Sequence, residues 1–192
     1  MSQTAVALIN SSAIRHNFQI LKEYASGCKV MPVLKANAYG HGMVQVAKLL
    51  PEADAFAVAR VDEGVKLRLS AITQRLVVLS GCIDQIELVQ ALEHRLDLVI
   101  HHHGQVDLLA EYTGGRQANV WIKIDSGMGR LGFSPDDLPG VLHSLEECPA
   151  VESIICVMSH LACADEVDNP MTPMQLNKFS AALSATKAFG KK

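Results

Sequence analysis

The chain has 192 residues, 49% of them hydrophobic, enough to bury one sizeable core in a single domain. Its net charge of −3 and scattered basic residues give no footprint for nucleic acid, and no apolar run reaches the length of a bilayer span. Residues 1–20 lack the basic flank and long apolar stretch of a signal peptide, and the five cysteines are odd in number with no Cys-x-x-Cys pair, which fits a reduced, cytoplasmic setting.

Along the chain, helices and apolar strands alternate. Asn10 or Ser11 caps a helix through Tyr24, with Ile14, Phe18 and Leu21 on one face. A buried strand is expected at 28–35, followed by a glycine-containing loop and a helix over 43–50. Further strands are expected at 55–59, 75–80, 96–101, 119–124 and 151–158, with helices at 62–69, 84–93, 105–112 and 135–147 between them. Thr172-Pro173-Met174-Gln175 has the form of a capping box with proline at the first helical position, opening a helix to about Phe189. Near-continuous apolar strands alternating with helices predict parallel pairing with the helices outside. Six strands fit a doubly wound sheet, or about six of the eight strands of a parallel (β/α) TIM-type barrel.

The chemistry begins at Lys35. It stands at the carboxyl end of the first expected strand, where a cation is costly unless it finds a partner or sheds its proton. A lysine so placed is an amine nucleophile suited to a Schiff base with a carbonyl or with pyridoxal phosphate; the plain alternative is a surface lysine that starts a loop. On the fifth expected strand, alternation places Trp121, Lys123 and Asp125 on one face and Val120, Ile122 and Ile124 on the other. The aliphatic face suits helices, which turns Lys123 inward, there to pair with Asp125 or another acid, or to react as a neutral amine with carbon dioxide to give a carbamate. Arg130 offers a planar, permanently charged fork of donors. Gly127-Met128-Gly129-Arg130-Leu131-Gly132 is formally G-x-G-x-x-G, yet Ser134-Pro135 puts the next helix start beyond the glycines, so a bent loop is expected rather than a dinucleotide-binding turn. His160 closes the sixth strand, on the side where barrel enzymes carry their ligand-binding groups. His101-His102-His103 cannot all ligate one metal from regular strand geometry, and the run is expected to be a strand end entering a loop; no metal site is assigned.

Lys35-Ala36-Asn37-Ala38-Tyr39-Gly40-His41-Gly42 resembles the cofactor-lysine signature of the alanine racemases, barrel-type pyridoxal phosphate enzymes. The resemblance extends to Asp125–Gly132 and to Ser159-His160-Leu161-Ala162-Cys163-Ala164-Asp165, in the family's order and over nearly the whole chain; the family usually has phenylalanine where Leu161 stands. It implies a barrel followed by a β-rich domain, with residues 1–192 as the amino-terminal part of the barrel and the β domain outside it. It also implies pyridoxal 5'-phosphate as cofactor, held covalently by Lys35, with Tyr39 near the phosphate and His160 stacked on the pyridine ring. Arg130 would reach the cofactor's phenolic oxygen and face the substrate, Asp165 would stand near the substrate entrance, and Lys123 matches a lysine that is often carbamylated. The activity implied is interconversion of L- and D-alanine, supplying D-alanine for peptidoglycan, in a homodimer whose partner subunit contributes a tyrosine on the second catalytic face. Tyr24, Tyr39 and Tyr112 all lie in the barrel portion, so the 192-residue chain alone is expected to be inactive. Open strand edges predict self-association. The alternative is a non-catalytic, single-barrel protein that binds pyridoxal phosphate.

Overall fold

The computed structural model describes residues 6–187, with side-chain surroundings through residue 185. Its helices are α1 (Ser11–Tyr24), α2 (Lys35–Tyr39), α3 (Met43–Leu49), α4 (Val61–Leu69), α5 (Gln85–Glu93), α6 (His103–Ala110), α7 (Leu138–Glu146) and α8 (Met171–Lys187). The strands are β1 (Ala55–Val58), β2 (Arg75–Val78), β3 (Asp97–Ile100), β4 (Ala118–Lys123) and β5 (Val151–Met158). Residues 188 and 189 of the expected last helix lie outside the described region.

All four strand pairings are parallel, in the order β1-β2-β3-β4-β5. Each strand therefore lies beside the next in sequence, through a helical crossover. A doubly wound sheet reverses its strand order at a switch point; here the order never reverses. The sheet is a wedge of a parallel barrel, incomplete in this chain.

Two layers of side chains follow from strand alternation. Phe56, Val58, Leu76, Val78, Leu98, Ile100, Val120, Ile122 and Ile124 point to the helices and are at most 1% exposed. Each such side chain taken from water contributes about 1.5–3 kcal/mol. The opposite, inner face carries a smaller cluster of Ala57, Val77 and Val99, packed with Met31, Leu79, Trp121 and Met158. The expected split of the 119–124 strand between an aliphatic and a functional face is what the fold contains.

The expected first strand is much reduced. Only Val33 pairs with Ala57, through Ala57 N–H to the Pro32 carbonyl (2.9 Å) and Leu34 N–H to the Ala57 carbonyl (2.7 Å). Pro32 has no N–H for a ladder, and the chain turns sharply at Lys35, so the pairing stops after one bridge. Val33 is 38% exposed, so this segment is an edge rather than a buried strand. The segment still occupies the position beside β1 that a sixth strand would take.

Helix α1 begins as expected, with Asn10 Oδ1 accepting from Ala13 N–H. The expected helix over 135–147 is a 3-10 turn at Pro135–Asp137 continuing into α7. The capping box at 172–175 does not form. Helix α8 already starts at Met171, Thr172 donates its hydroxyl to the Cys163 carbonyl, and Gln175 turns its side chain away from the helix start. Among the described residues no helix is long and apolar enough to cross a membrane, and the five cysteines are free thiols.

Candidate active site

The carboxyl ends of the strands bring together residues that are far apart in sequence. Directly after the Val33 bridge, Ala36, Asn37, Ala38 and Tyr39 all take left-handed conformations, with φ of 51°, 56°, 54° and 53°. None is glycine, and each such residue costs roughly 1–2 kcal/mol. Several bonds hold the turn. Ala38 N–H donates to the Leu34 carbonyl (2.7 Å), Gly40 N–H to Ala36 (3.1 Å) and Gly42 N–H to Asn37 (2.9 Å). Asn37, a residue type that tolerates this region, accepts from Met43 N–H at the start of α3 (3.0 Å). The loop expected at 36–42 is thus a strained, hydrogen-bonded turn.

Glu63 pins this turn from outside. One of its carboxylate oxygens accepts from Ala36 N–H (2.7 Å) and the other from Ala59 N–H (2.9 Å) and Arg60 N–H (3.3 Å). It thereby ties the residue after Lys35 to the end of β1. Sequence reasoning missed Glu63; its signal was an acid in the first turn of a helix that follows a strand end. Lys35 itself is half-buried, and its ammonium sits 5.9 Å from the centroid of the Tyr39 ring, itself 61% exposed.

Lys123 ends β4 on the inner face at 7% exposure. Its expected ion pair with Asp125 does not form among the described residues. Asp125 is occupied elsewhere, accepting from Gly127 N–H (2.8 Å) and Arg130 N–H (3.0 Å). Burial raises the Asp125 pKa, but the amides of Gly127, Gly129, Arg130 and Met128 together outweigh it and hold the carboxyl below its ordinary value. The acid spends its charge on shaping the loop that carries Arg130. That loop closes on itself through Phe133 N–H to the Lys123 carbonyl and Asp125 N–H to the Phe133 carbonyl. At Gly132, with φ of 137°, a Cβ would lie against the Ile124 and Asp125 backbone, so glycine is required there. The next helix opens only at Pro135, which removes the dinucleotide-binding reading.

His160 follows β5. Burial lowers its pKa first, and then Arg130, Lys123 and Lys35 lower it further. Lys123 is lowered by burial, then by Arg130, with Asp125 opposing and Lys35 adding to the effect. Lys35, Lys123, Arg130 and His160 thus share one field, and that field is positive. Asp165 is not among them; it stands exposed in the turns between β5 and α8, near Cys163. The histidine run divides as expected of a strand end. His101 follows β3 and is buried, His102 caps α6, and His103 packs edge-on against Phe133 with ring centroids 5.1 Å apart.

Gln175 of α8 is the second residue that sequence reasoning missed, since its four-residue motif suggested a cap. It is fully buried, donating to the His160 carbonyl (2.9 Å) and to Ser126 Oγ (3.4 Å) and accepting from Ala162 N–H (2.8 Å).

Sequential parallel strands with cationic side chains at their carboxyl ends define an α/β protein of the parallel barrel type. The family model for the alanine racemase N-terminal domain matches residues 9–192, and the chain belongs to this family. It is 46% identical over 174 residues to an alanine racemase of Shewanella sediminis, covering 91% of this chain and 49% of that protein. It is 44% identical over 183 residues to an alanine racemase of Shewanella woodyi, covering 95% and 51%. The crystal structure of the biosynthetic alanine racemase from Pseudomonas aeruginosa superposes with a TM-score of 0.85 at 40% identity, covering 90% of this chain and 48% of that one. An alanine racemase of Clostridium difficile 630 in complex with cycloserine superposes with a TM-score of 0.88 at 30% identity, over 98% and 54%. The chain spans about half the length of the relatives it matches.

Proposed function

We propose that this chain is the cofactor-binding barrel portion of a pyridoxal phosphate-dependent alanine racemase, with the β domain outside residues 1–192. The observation that supports the reading best is the set of like charges, Lys35, Lys123 and Arg130, that act together on His160, while the carboxylate of Asp125 is engaged by backbone amides. Such a mouth suits an anionic cofactor: Lys35 would hold it covalently, with Tyr39 toward its phosphate, His160 toward its ring and Arg130 toward its phenolic oxygen. Bound there, pyridoxal phosphate supplies the electron sink that acidifies the substrate's Cα–H. The chain's own residues do the rest. Lys35, once its amine is released, holds or gives a proton at the substrate Cα on one face. Arg130 faces the substrate carboxylate, and Asp165 stands at the entrance. Lys123 is buried and, among the described residues, forms no ion pair; conversion to a carbamate would turn a repelled cation into an anion beside Arg130.

Alanine as substrate, supply of D-alanine for peptidoglycan, and assembly as a homodimer complete the reading; the relatives named alanine racemase favour it over a non-catalytic binding protein. The five free thiols fit a cytoplasmic setting, and the open outer edge of β5 favours self-association of the chain.

The test is chemical trapping. Borohydride reduction in the presence of pyridoxal phosphate, followed by peptide mapping, should place the pyridoxyl group on Lys35, and Lys35→Ala should abolish the label with little change in melting temperature. Label spread over surface lysines would refute the reading. D-alanine formation is then measured on a protein that carries this chain together with the following domain.

A further inference from the structure

We infer that Gln175 is a positioning residue, holding His160 and the Arg130 loop in one fixed frame; what that frame serves rests on the function proposed above. The geometry joins three elements. From α8, the Gln175 amide donates to the His160 carbonyl (2.9 Å), and its oxygen accepts from Ala162 N–H (2.8 Å). These two backbone groups flank Leu161, so the histidine's main chain is pinned on its exit side. The same amide reaches Ser126 Oγ (3.4 Å), which shares a hydrogen bond with Ser159 Oγ (2.8 Å), and Ser159 in turn donates to the Ile124 carbonyl (2.9 Å). Ser126 lies in the loop that leads to Arg130, and Ser159 precedes His160. The chain of bonds therefore clamps the end of β4 to the end of β5, with Gln175 as its buried anchor at 0% exposure.

Volume alone does not explain this side chain. An apolar residue of similar size would fill the space on α8, but it would leave the His160 carbonyl and the Ala162 amide without partners. A backbone so freed relaxes toward water and takes the imidazole with it. Groups facing the His160 ring are the cations Arg130, Lys123 and Lys35, so any withdrawal of the ring weakens their hold on its titration.

The experiment uses the chain itself and two variants, Gln175→Met and Gln175→Glu. The first keeps volume and loses all three bonds; the second keeps the acceptor for Ala162 and loses the donor to His160. The His160 ring is titrated by NMR without ligand, and pyridoxal phosphate affinity is measured separately. Gln175→Met should raise the His160 midpoint toward the ordinary imidazole range and weaken cofactor binding by about tenfold, while still melting cooperatively. Gln175→Glu should lie between the two and approach wild type as the pH falls and the new acid gains a proton to donate to the His160 carbonyl. An unchanged His160 titration in either folded variant overturns the inference. So does an equal change in Phe179→Leu, a nearby α8 substitution of similar destabilisation. If the wild-type chain takes no cofactor on Lys35, the functional reading fails, and the His160 titration alone still decides the role of Gln175.

Discussion

At the amino ends of the strands, Asp97 gives one carboxylate oxygen to both Arg75 (2.9 Å) and Trp121 Nε1 (2.8 Å). At the carboxyl ends of the same inner face, the charges of Arg130, Lys123 and Lys35 act on His160, while the oxygens of Asp125 are taken by backbone amides. One end pairs a buried carboxylate with a cation; the other concentrates like charges. The folding code alone does not call for the second arrangement, because burying cations together costs stability. A ligand that brings negative charge makes sense of it.

The paired end should respond most strongly to mutation. Arg75→Met leaves the Asp97 carboxylate, 4% exposed, with Trp121 and Asn119 as side-chain hydrogen-bond partners and no cation. Removing one partner of a buried pair costs about 3–5 kcal/mol; Arg75 is half-exposed, so about 2–3 kcal/mol is expected at neutral pH. The pH dependence has a definite sign. Burial already raises the Asp97 pKa against the opposing pulls of Trp121 and Arg75, and loss of Arg75 raises it further. A group with a raised folded pKa favours the folded state while protonated, and that benefit is lost as pH rises through the folded pKa. The Arg75→Met deficit should therefore shrink on acidification. Urea unfolding at neutral and at mildly acidic pH measures it, and a deficit independent of pH would mean that Asp97 is not the group left exposed to the loss.

Glu63→Gln probes the cationic end at its most strained point. The carboxylate accepts three backbone N–H groups, at Ala36, Ala59 and Arg60, and charge-assisted bonds of this kind are worth more than neutral ones. The substitution keeps one acceptor oxygen and turns the other toward a donor, so about 1–2 kcal/mol of stability should be lost. Hydrogen exchange at the Ala36 amide should speed up more than exchange within β3. Uniform acceleration across both would show that Glu63 serves the fold at large rather than the left-handed turn.

The residues of the cationic end were legible from sequence, while the Asp97–Arg75 pair at the other end was not. Strand alternation put Trp121, Lys123 and Asp125 on one face because side-chain period is fixed by the pleat, and tertiary context had nothing to override. The parallel α/β class was legible for the same reason, while the choice of a barrel over a doubly wound sheet rested on the family resemblance. The first strand was overestimated because composition at 28–35 reads as β, while Pro32 and the turn at Lys35 cut the ladder to one bridge. Four consecutive left-handed residues at 36–39 were not legible at all, since alanine and tyrosine carry no local preference for that region. Gln175 was misread because a capping box and a buried clamp use the same residue types, and only the packing of α8 tells them apart. The Lys123–Asp125 pair failed for a related reason. Spacing showed that the two share a face, but not that the amides of Gly127 and Arg130 would claim the acid first.

The smallest expected effect is a gain. Lys123→Met removes a buried cation that forms no ion pair among the described residues and keeps its aliphatic volume on the inner face, so the chain should become more stable, by about 1 kcal/mol at neutral pH. Burial, Arg130 and Lys35 lower the Lys123 pKa below its ordinary value of 10.5. For a base, a lowered folded pKa means that the folded state resists protonation, so the wild type carries its full penalty below the folded pKa and none once both states are neutral. The advantage of Lys123→Met should thus be complete at neutral pH and fade as pH rises toward 10.5. Thermal melts of the two proteins across that window isolate the term, because every other titrating group is common to both. Added bicarbonate sharpens the comparison: if the wild-type lysine forms a carbamate, the anion gains Arg130 as a partner and the gap between the two proteins should narrow. A Lys123→Met chain less stable than wild type at every pH would show that the ammonium is a structural asset, and the contrast between a paired and a cationic end would not hold at this residue.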